Sequence, residues 1–339
     1  MISAGKGFQR ESNRATAESQ GSGRRASTPA GLPRRGPRAC PRRAPFMPPF
    51  TSPLRVEEGG RNDSENAMTT QRENYTMGYG PAAVALMGRR TAQSHAGFFL
   101  SQLKSGMRVL DCGCGPGTIT LGFAELVAPG SAVGTDIEAT QMALATENAR
   151  AHNVSNVRFE VADIYALPFE DSSFDAVFMS AVLGNLREPI RSLREAYRVL
   201  KPGGVIGVKE FDHGGDIVYP LEPAMAKYDE LYRRLRSEYG HSGEVGRTIG
   251  ALLLEAGLSD LTMTASFETL SDPKVLKGAA QVFIGLLSEG WSDAFTSRGW
   301  ADDDDIQEMR DAWLRFAKFP GALFVAAWVE AVAFKNLSE

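Results

Sequence analysis

The chain has 339 residues, 43% of them apolar, and a formal charge of −4, which supports one large or two small globular domains. No apolar run approaches the roughly 18 residues a membrane span requires, so no such span is expected. Charge is uneven: residues 1–67 hold 12 Lys/Arg against 6 Asp/Glu, leaving 25 against 35 for the rest. An acidic body of this kind excludes nucleic acid as the main partner.

Residues 1–67 read as a disordered tail. Pro, Arg, Ser and Gly dominate there, eight of the 18 prolines fall between Pro29 and Pro53, and apolar periodicity is absent. An over-extended reading frame with its true start near Met68 fits equally. The Arg and Ser content also raises a transit peptide, and with it an organelle as the alternative to a cytoplasmic location, although prolines interrupt any amphipathic helix. Cys40, Cys112 and Cys114 are the only cysteines. They make no disulfide framework, favour a reducing compartment and leave no metal site.

Residues 68–339 read as one α/β domain. Tyr75 to Leu103 form a helical prelude over the ligand site. From 107 strands and helices alternate: strand 108–110, helix 118–127, strand 132–135, helix 139–151, strand 157–161, strand 174–180, helix 190–199 and strand 205–210. Such alternation predicts a parallel sheet with helices on both faces. Beyond it the spacing predicts helices over 221–239 and 246–256, a strand over 261–270, helices over 273–288 and 302–319, and a last strand in the second half of 322–334. The helical stretches at about 215–245 and 272–319 read as lid insertions; the second is long for a plain connection. The run Asp302–Asp305 reads as a helix start suited to the helix dipole.

Strand 108–110 runs into Asp111 and then glycines at 113, 115 and 117 before a helix. Glycine lets a backbone turn sharply and approach a ligand, and a helix start offers unpaired N–H groups. A P-loop would need Gly-Lys-Ser/Thr, and no lysine follows Gly117. A dinucleotide fingerprint would need glycine where Thr118 or Thr120 stands. Asp136 ends the second strand, where a carboxylate can accept from a ribose diol; it also suits a helix N-cap. Asp163 after the third strand can accept from an adenine amino group, with the Ile164 N–H beside it.

Asp111–Gly117, Asp136, Ala162-Asp163-Ile164, Leu167-Pro168-Phe169, Phe174-Asp175 and Leu200–Gly204 together resemble the class I S-adenosylmethionine (SAM)-dependent methyltransferases of the UbiE/type-11 group, over residues 75–212. The resemblance implies a doubly wound, mostly parallel seven-stranded Rossmann-like sheet with the last strand antiparallel and SAM across the strand C-termini. The cofactor contacts it implies are Tyr79, Asp111, Gly113, Gly115, Gly117, Asp136, Ile137, Gln141, Asp163, Ile164 and Ser180. Many relatives have a histidine after the fourth strand; here the chain reads Ser180-Ala-Val-Leu-Gly-Asn185, so that role does not carry over. Asn185 suits a turn or a substrate contact.

The expected activity is methyl transfer to a small, partly apolar acceptor such as a phenol or quinone. The alternative is a catalytically silent SAM-fold binding protein. Transfer needs alignment above all, and a base only for a hydroxyl or weakly acidic carbon. His213, directly after the fifth strand, is the candidate base; His95, His152 and His241 are the remaining histidines. Phe283, Leu287, Trp291, Trp300, Trp313 and Phe316 are the candidate lid aromatics and apolar residues. The oligomeric state has no signature in the sequence.

Overall fold

The computed structural model describes residues 75–337; the expectations for residues 1–67, Cys40 among them, lie outside the described residues. The prelude is α1 (Pro81–Gly88), α2 (Ala92–His95) and a short turn of helix at Leu100–Gln102. Proline begins α1, where its missing N–H has no partner to lose. Thr91 and Ser94 cap α2 reciprocally.

Next come β1 (Arg108–Cys112), α3 (Thr118–Val127), β2 (Ser131–Asp136), α4 (Ala139–Ala151), β3 (Val157–Val161), β4 (Phe174–Ser180), α5 (Pro189–Val199) and β5 (Leu200–Phe211). These strands pair in parallel in the order β3-β2-β1-β4-β5. β4 is buried almost throughout, as a strand covered on both faces must be. Phe123 packs edge-on to Phe178 at 5.1 Å, which seats α3 on the sheet.

The second half departs from the sequence reading in two places. A three-residue strand, β6 (Ile217–Tyr219), precedes α6 (Pro223–Glu238) and α7 (Ile249–Glu255). The sheet therefore has eight strands rather than seven. β7 (Ser259–Leu270) follows, then α8 (Pro273–Leu286), a π-turn at Leu287–Trp291, α9 (Ser292–Ser297), α10 (Asp303–Phe316) and β8 (Leu323–Phe334). β8 occupies the whole apolar run and not only its second half. It must be long because one edge carries β7 along its length while the other carries β5 and then β6, all antiparallel to it.

The cap over the strand ends is built from α1, α6, α8, the π-turn and α10, around a second apolar core that includes Tyr228, Trp291, Trp313 and Phe316. Asp302 caps α10 and shares a capping box with Asp305, as its acidic run predicted. The prelude and cap are tied together: Trp291 Nε1 donates to Thr76 O at 2.8 Å, and Ala82 N donates to Glu289 Oε1 at 2.9 Å. Among the described residues no helix is long and apolar enough to cross a membrane, and no cluster could hold a metal ion.

Candidate active site

The glycine loop is shaped by the residues around it. Gly113 N and Cys114 N donate to Thr135 O at 2.7 and 2.9 Å, pinning the loop to the end of β2. Gly117 has φ 77°, and a Cβ there would lie 2.7 Å from the Phe159 ring and 2.9 Å from Ala145. Both the left-handed backbone and the close packing demand glycine. Asp111 is buried at the end of β1 and accepts from Thr120 Oγ1 at 2.6 Å. Burial raises its carboxyl to about pKa 7, against the lowering effect of that hydrogen bond.

Asp136 does more than the sequence suggested. Gly115 N donates to Oδ2 at 3.1 Å and Glu138 N to Oδ1 at 3.1 Å, so one carboxylate joins the loop to the start of α4. Each oxygen keeps a further lone pair. Burial again raises the carboxyl. Asp163 is half-buried and accepts from Tyr165 N at 2.9 Å; Ile164 beside it packs on the sheet core. Ile137 is exposed. Gln141 and Ser180 are buried, and Gln141 Oε1 and Ser180 Oγ have no hydrogen-bond partner among the described residues.

Beside the loop lies a cavity of about 640 Å³, walled largely by aromatic and aliphatic side chains from the prelude, β5, β8 and the cap. Met87 joins the two regions. It lines the cavity, and its Sδ lies 3.3 Å from where a Gly115 Cβ would be. Tyr75 lines the cavity, whereas Tyr79 packs behind it with ring centroids 5.1 Å apart. Of the candidate lid residues, Phe283, Trp291 and Trp313 face the cavity; Leu287, Trp300 and Phe316 belong to the cap's own core.

His213 reaches the cavity wall. Its Nδ1 bonds Asp216 Oδ2 at 2.8 Å, and its ring stacks on Phe211 at 4.8 Å. Asp216 is itself fixed, since Oδ1 accepts from Ala327 N at 2.7 Å. His95 also lines the cavity; burial first, then Arg90 and Lys209, lower it to about pKa 3 and keep it neutral. His152 lies at the exposed end of α4, and His241 bonds Thr76 Oγ1 at 3.1 Å.

Three positions that shape the candidate site escaped the sequence reading. Asp216 is one. Glu210, fully buried, accepts from Val182 N at 2.7 Å, Leu183 N at 2.8 Å and Gly184 N at 3.4 Å, and so holds the turn after β4. Burial pushes its carboxyl to about pKa 7. Arg236, 1% exposed, donates to Asn185 Oδ1 at 2.9 Å and Ser242 O at 3.0 Å from inside the cap. Asn185 takes the turn role: it donates to Ala181 O at 2.8 Å, and it also lines the cavity.

Residues 103–256 match the family described as methyltransferase domain. An uncharacterized methyltransferase of Schizosaccharomyces pombe is 30% identical over 241 residues, covering 67% of this chain and 84% of that protein. The chain belongs to the methyltransferase family. The ubiquinone/menaquinone biosynthesis C-methyltransferase UbiE of Pseudomonas aeruginosa is 34% identical over 178 residues, covering 48% of this chain and 69% of that protein. Against two further relatives the chain spans 54% and 62% of their length. Among solved structures, the YcgJ protein from Bacillus subtilis covers 71% of this chain and 97% of its own, with 20% identity and a TM-score of 0.48. The protein is a SAM-dependent methyltransferase on a mostly parallel, Rossmann-like sheet, as the sequence led us to expect.

Proposed function

We propose that this methyltransferase transfers the methyl group of SAM to a small, largely apolar aromatic acceptor, a phenol or a quinone-type ring, enclosed in the 640 Å³ cavity. The observation that carries the reading is the cavity itself, which is aromatic-walled, adjoins the glycine loop through Met87 and bears His213, oriented by a carboxylate. The name of the UbiE relatives, which act in ubiquinone and menaquinone biosynthesis, agrees with such an acceptor.

SAM supplies a methyl group on a sulfonium, already a good leaving group. The residues about the loop fit it. Its ribose hydroxyls, adenine amino group and ammonium are donors, and what surrounds the loop is rich in acceptors: the Asp111, Asp136 and Asp163 carboxylates, Gln141 Oε1 and Ser180 Oγ. Gly113, Gly115 and Gly117 let the backbone approach, Ile164 offers its N–H, and Ile137 an apolar edge. Tyr79, one layer back, would act through Tyr75.

The cavity walls exclude water and align the acceptor. Asp216 holds the Nδ1–H tautomer of His213, which leaves Nε2 free to take a proton from the acceptor hydroxyl as its oxygen, or the conjugated ring carbon, bonds the methyl carbon. Incubation with methyl-labelled SAM and parallel panels of phenols, hydroquinones and amines tests the reading. Labelled phenolic or hydroquinone products are expected. Labelling of amines alone would overturn it.

A further inference from the structure

The two outermost strands of the sheet, β3 and β7, are finished differently. β3 is five residues long, and two of those are charged and paired with each other, Arg158 and Glu160. A short, charged edge resists pairing with another strand. β7 has twelve residues, and among the described residues its backbone pairs with β8 alone. From Thr262 to Leu270 that pairing runs without a break in register. The other edge of β7 therefore presents a long row of N–H and C=O groups. Nothing in its composition guards it. Residues 261–270 contain no proline, lysine or arginine and a single charge, Glu268.

The side chains show which way each residue of β7 points. Thr264 and Ser266 bond Glu330, and Glu268 lines the cavity, so the even-numbered residues share the cavity side. The odd-numbered residues point to the α7 side, where a Gly250 Cβ would lie 2.5 Å from Met263 Sδ. On that side Met263 is 42% exposed and Phe267 is 62% exposed. Leu254, 55% exposed, stands one helical turn beyond Gly250 on the same face of α7 and extends the apolar strip.

We propose that β7 is a dimer edge: two copies of this chain join β7 to β7, antiparallel, about a two-fold axis at Ala265, and the two sheets become one. A second copy is the occupant because the strand complements itself in this register. Met263 falls opposite the partner's Phe267, and Phe267 opposite the partner's Met263, so the two exposed apolar side chains make a sulfur–aromatic pair on each side of the axis. Thr264 falls opposite Ser266. Glu268 falls opposite Thr262, so no like charges meet. Moving the axis one residue either way separates Met263 from Phe267. Closure about a two-fold axis uses up the open edge, so the assembly stops at two copies.

Sedimentation velocity of the full chain over a concentration series tests this, and a monomer–dimer equilibrium is expected. Phe267→Lys should weaken the dimer at least about tenfold. Adding Met263→Lys sets lysine against lysine on both sides of the axis and should leave monomer alone. Both side chains are largely exposed, so the fold should survive, and circular dichroism checks that it does. Oxidative cross-linking gives a reading that needs no disruption. In an antiparallel pair the axis residue lies about 4.5–5.5 Å from its own copy between Cα atoms, within disulfide reach. Ala265→Cys should therefore form a linked dimer, whereas Thr269→Cys, which faces Leu261, should not. The parent chain with Cys40, Cys112 and Cys114 is the control. A full chain that stays monomeric at roughly 100 μM overturns the proposal, whatever else covers β7. So does a dimer that survives both lysine substitutions, and so does linkage through Thr269→Cys in place of Ala265→Cys.

Discussion

The glycine loop and the aromatic cavity, joined at Met87, are made of opposite material. The loop is backbone: its shape comes from glycines, strand ends and two carboxylates, and the unpartnered atoms beside it, Gln141 Oε1 and Ser180 Oγ, can accept hydrogen bonds. The cavity is side chain: its shape comes from rings on the prelude, β5, β8 and several elements of the cap. One end suits a donor-rich cofactor, and the other suits the flat, largely apolar acceptor proposed above. The two are therefore expected to fail separately, and mutations can check that.

The largest effect belongs to the seam they share. Glu210 holds the 182–184 turn that lies between them. Glu210→Ala leaves three buried N–H groups without their acceptor and removes a carboxylate whose charge interacts with that of Arg236. A loss of about 3–5 kcal/mol of stability is expected, read from denaturant midpoints. A loss below about 1 kcal/mol would show that the turn stands without it.

His213→Ala should act on one side alone. Turnover of a hydroxylated acceptor should fall by about 10²-fold or more while SAM affinity is kept. Asp216→Asn should lower turnover less and shift its pH profile, because the amide can hold the ring in the wrong tautomer. Unchanged turnover in both variants would remove the dyad from the chemistry.

The two ends also differ in how far the sequence disclosed them. The loop was legible because each glycine answers a local demand. Gly117 has a left-handed backbone and no room for a side chain, and Asp136 stands where a strand ends. The cavity was not, because helical spacing marks a residue as inward without saying whether it faces a core or a void. Phe283 and Phe316 share that spacing, yet only Phe283 reaches the cavity. Arg236 stands among the many charged residues of the 221–239 helix, where nothing in its type sets it apart. Its position four residues after Tyr232, on the stripe of Met225, Tyr228 and Tyr232, was the available signal. The eighth strand was invisible for another reason: three residues carry no period.

On the cofactor side, Asp136→Ala should weaken SAM binding by about 1.5–3 kcal/mol, the worth of a charge-assisted hydrogen bond. Acceptor probes should bind the variant unchanged. The carboxylate also ties Gly115 to α4, so melting temperature has to be followed beside affinity. Unchanged calorimetric affinity would move the ribose elsewhere.

The smallest effect is the one that pH should draw out of Asp111. Burial holds its carboxyl at about pKa 7, above its ordinary 3.8, so near pH 6 the free protein carries it mostly protonated. Between those two values the folded protein keeps a proton that the unfolded chain has released. This group's contribution to stability therefore falls as pH rises through the window. A donor-rich cofactor prefers the ionised carboxylate, so binding should reverse the trend. SAM affinity should rise from about pH 5.5 to 7, by at most about tenfold per unit for one proton. Titrations in buffers of different ionisation heat should show a proton released on binding near pH 6. Asp111→Asn should flatten this dependence. Glu210, raised to about the same value, lies under the turn on the far side of β4, so it adds to the stability trend and not to the affinity trend. Proton uptake on binding would contradict this assignment, and an Asp111→Asn variant with the original slope would move it to another group, Asp136 first, whose carboxyl burial also raises.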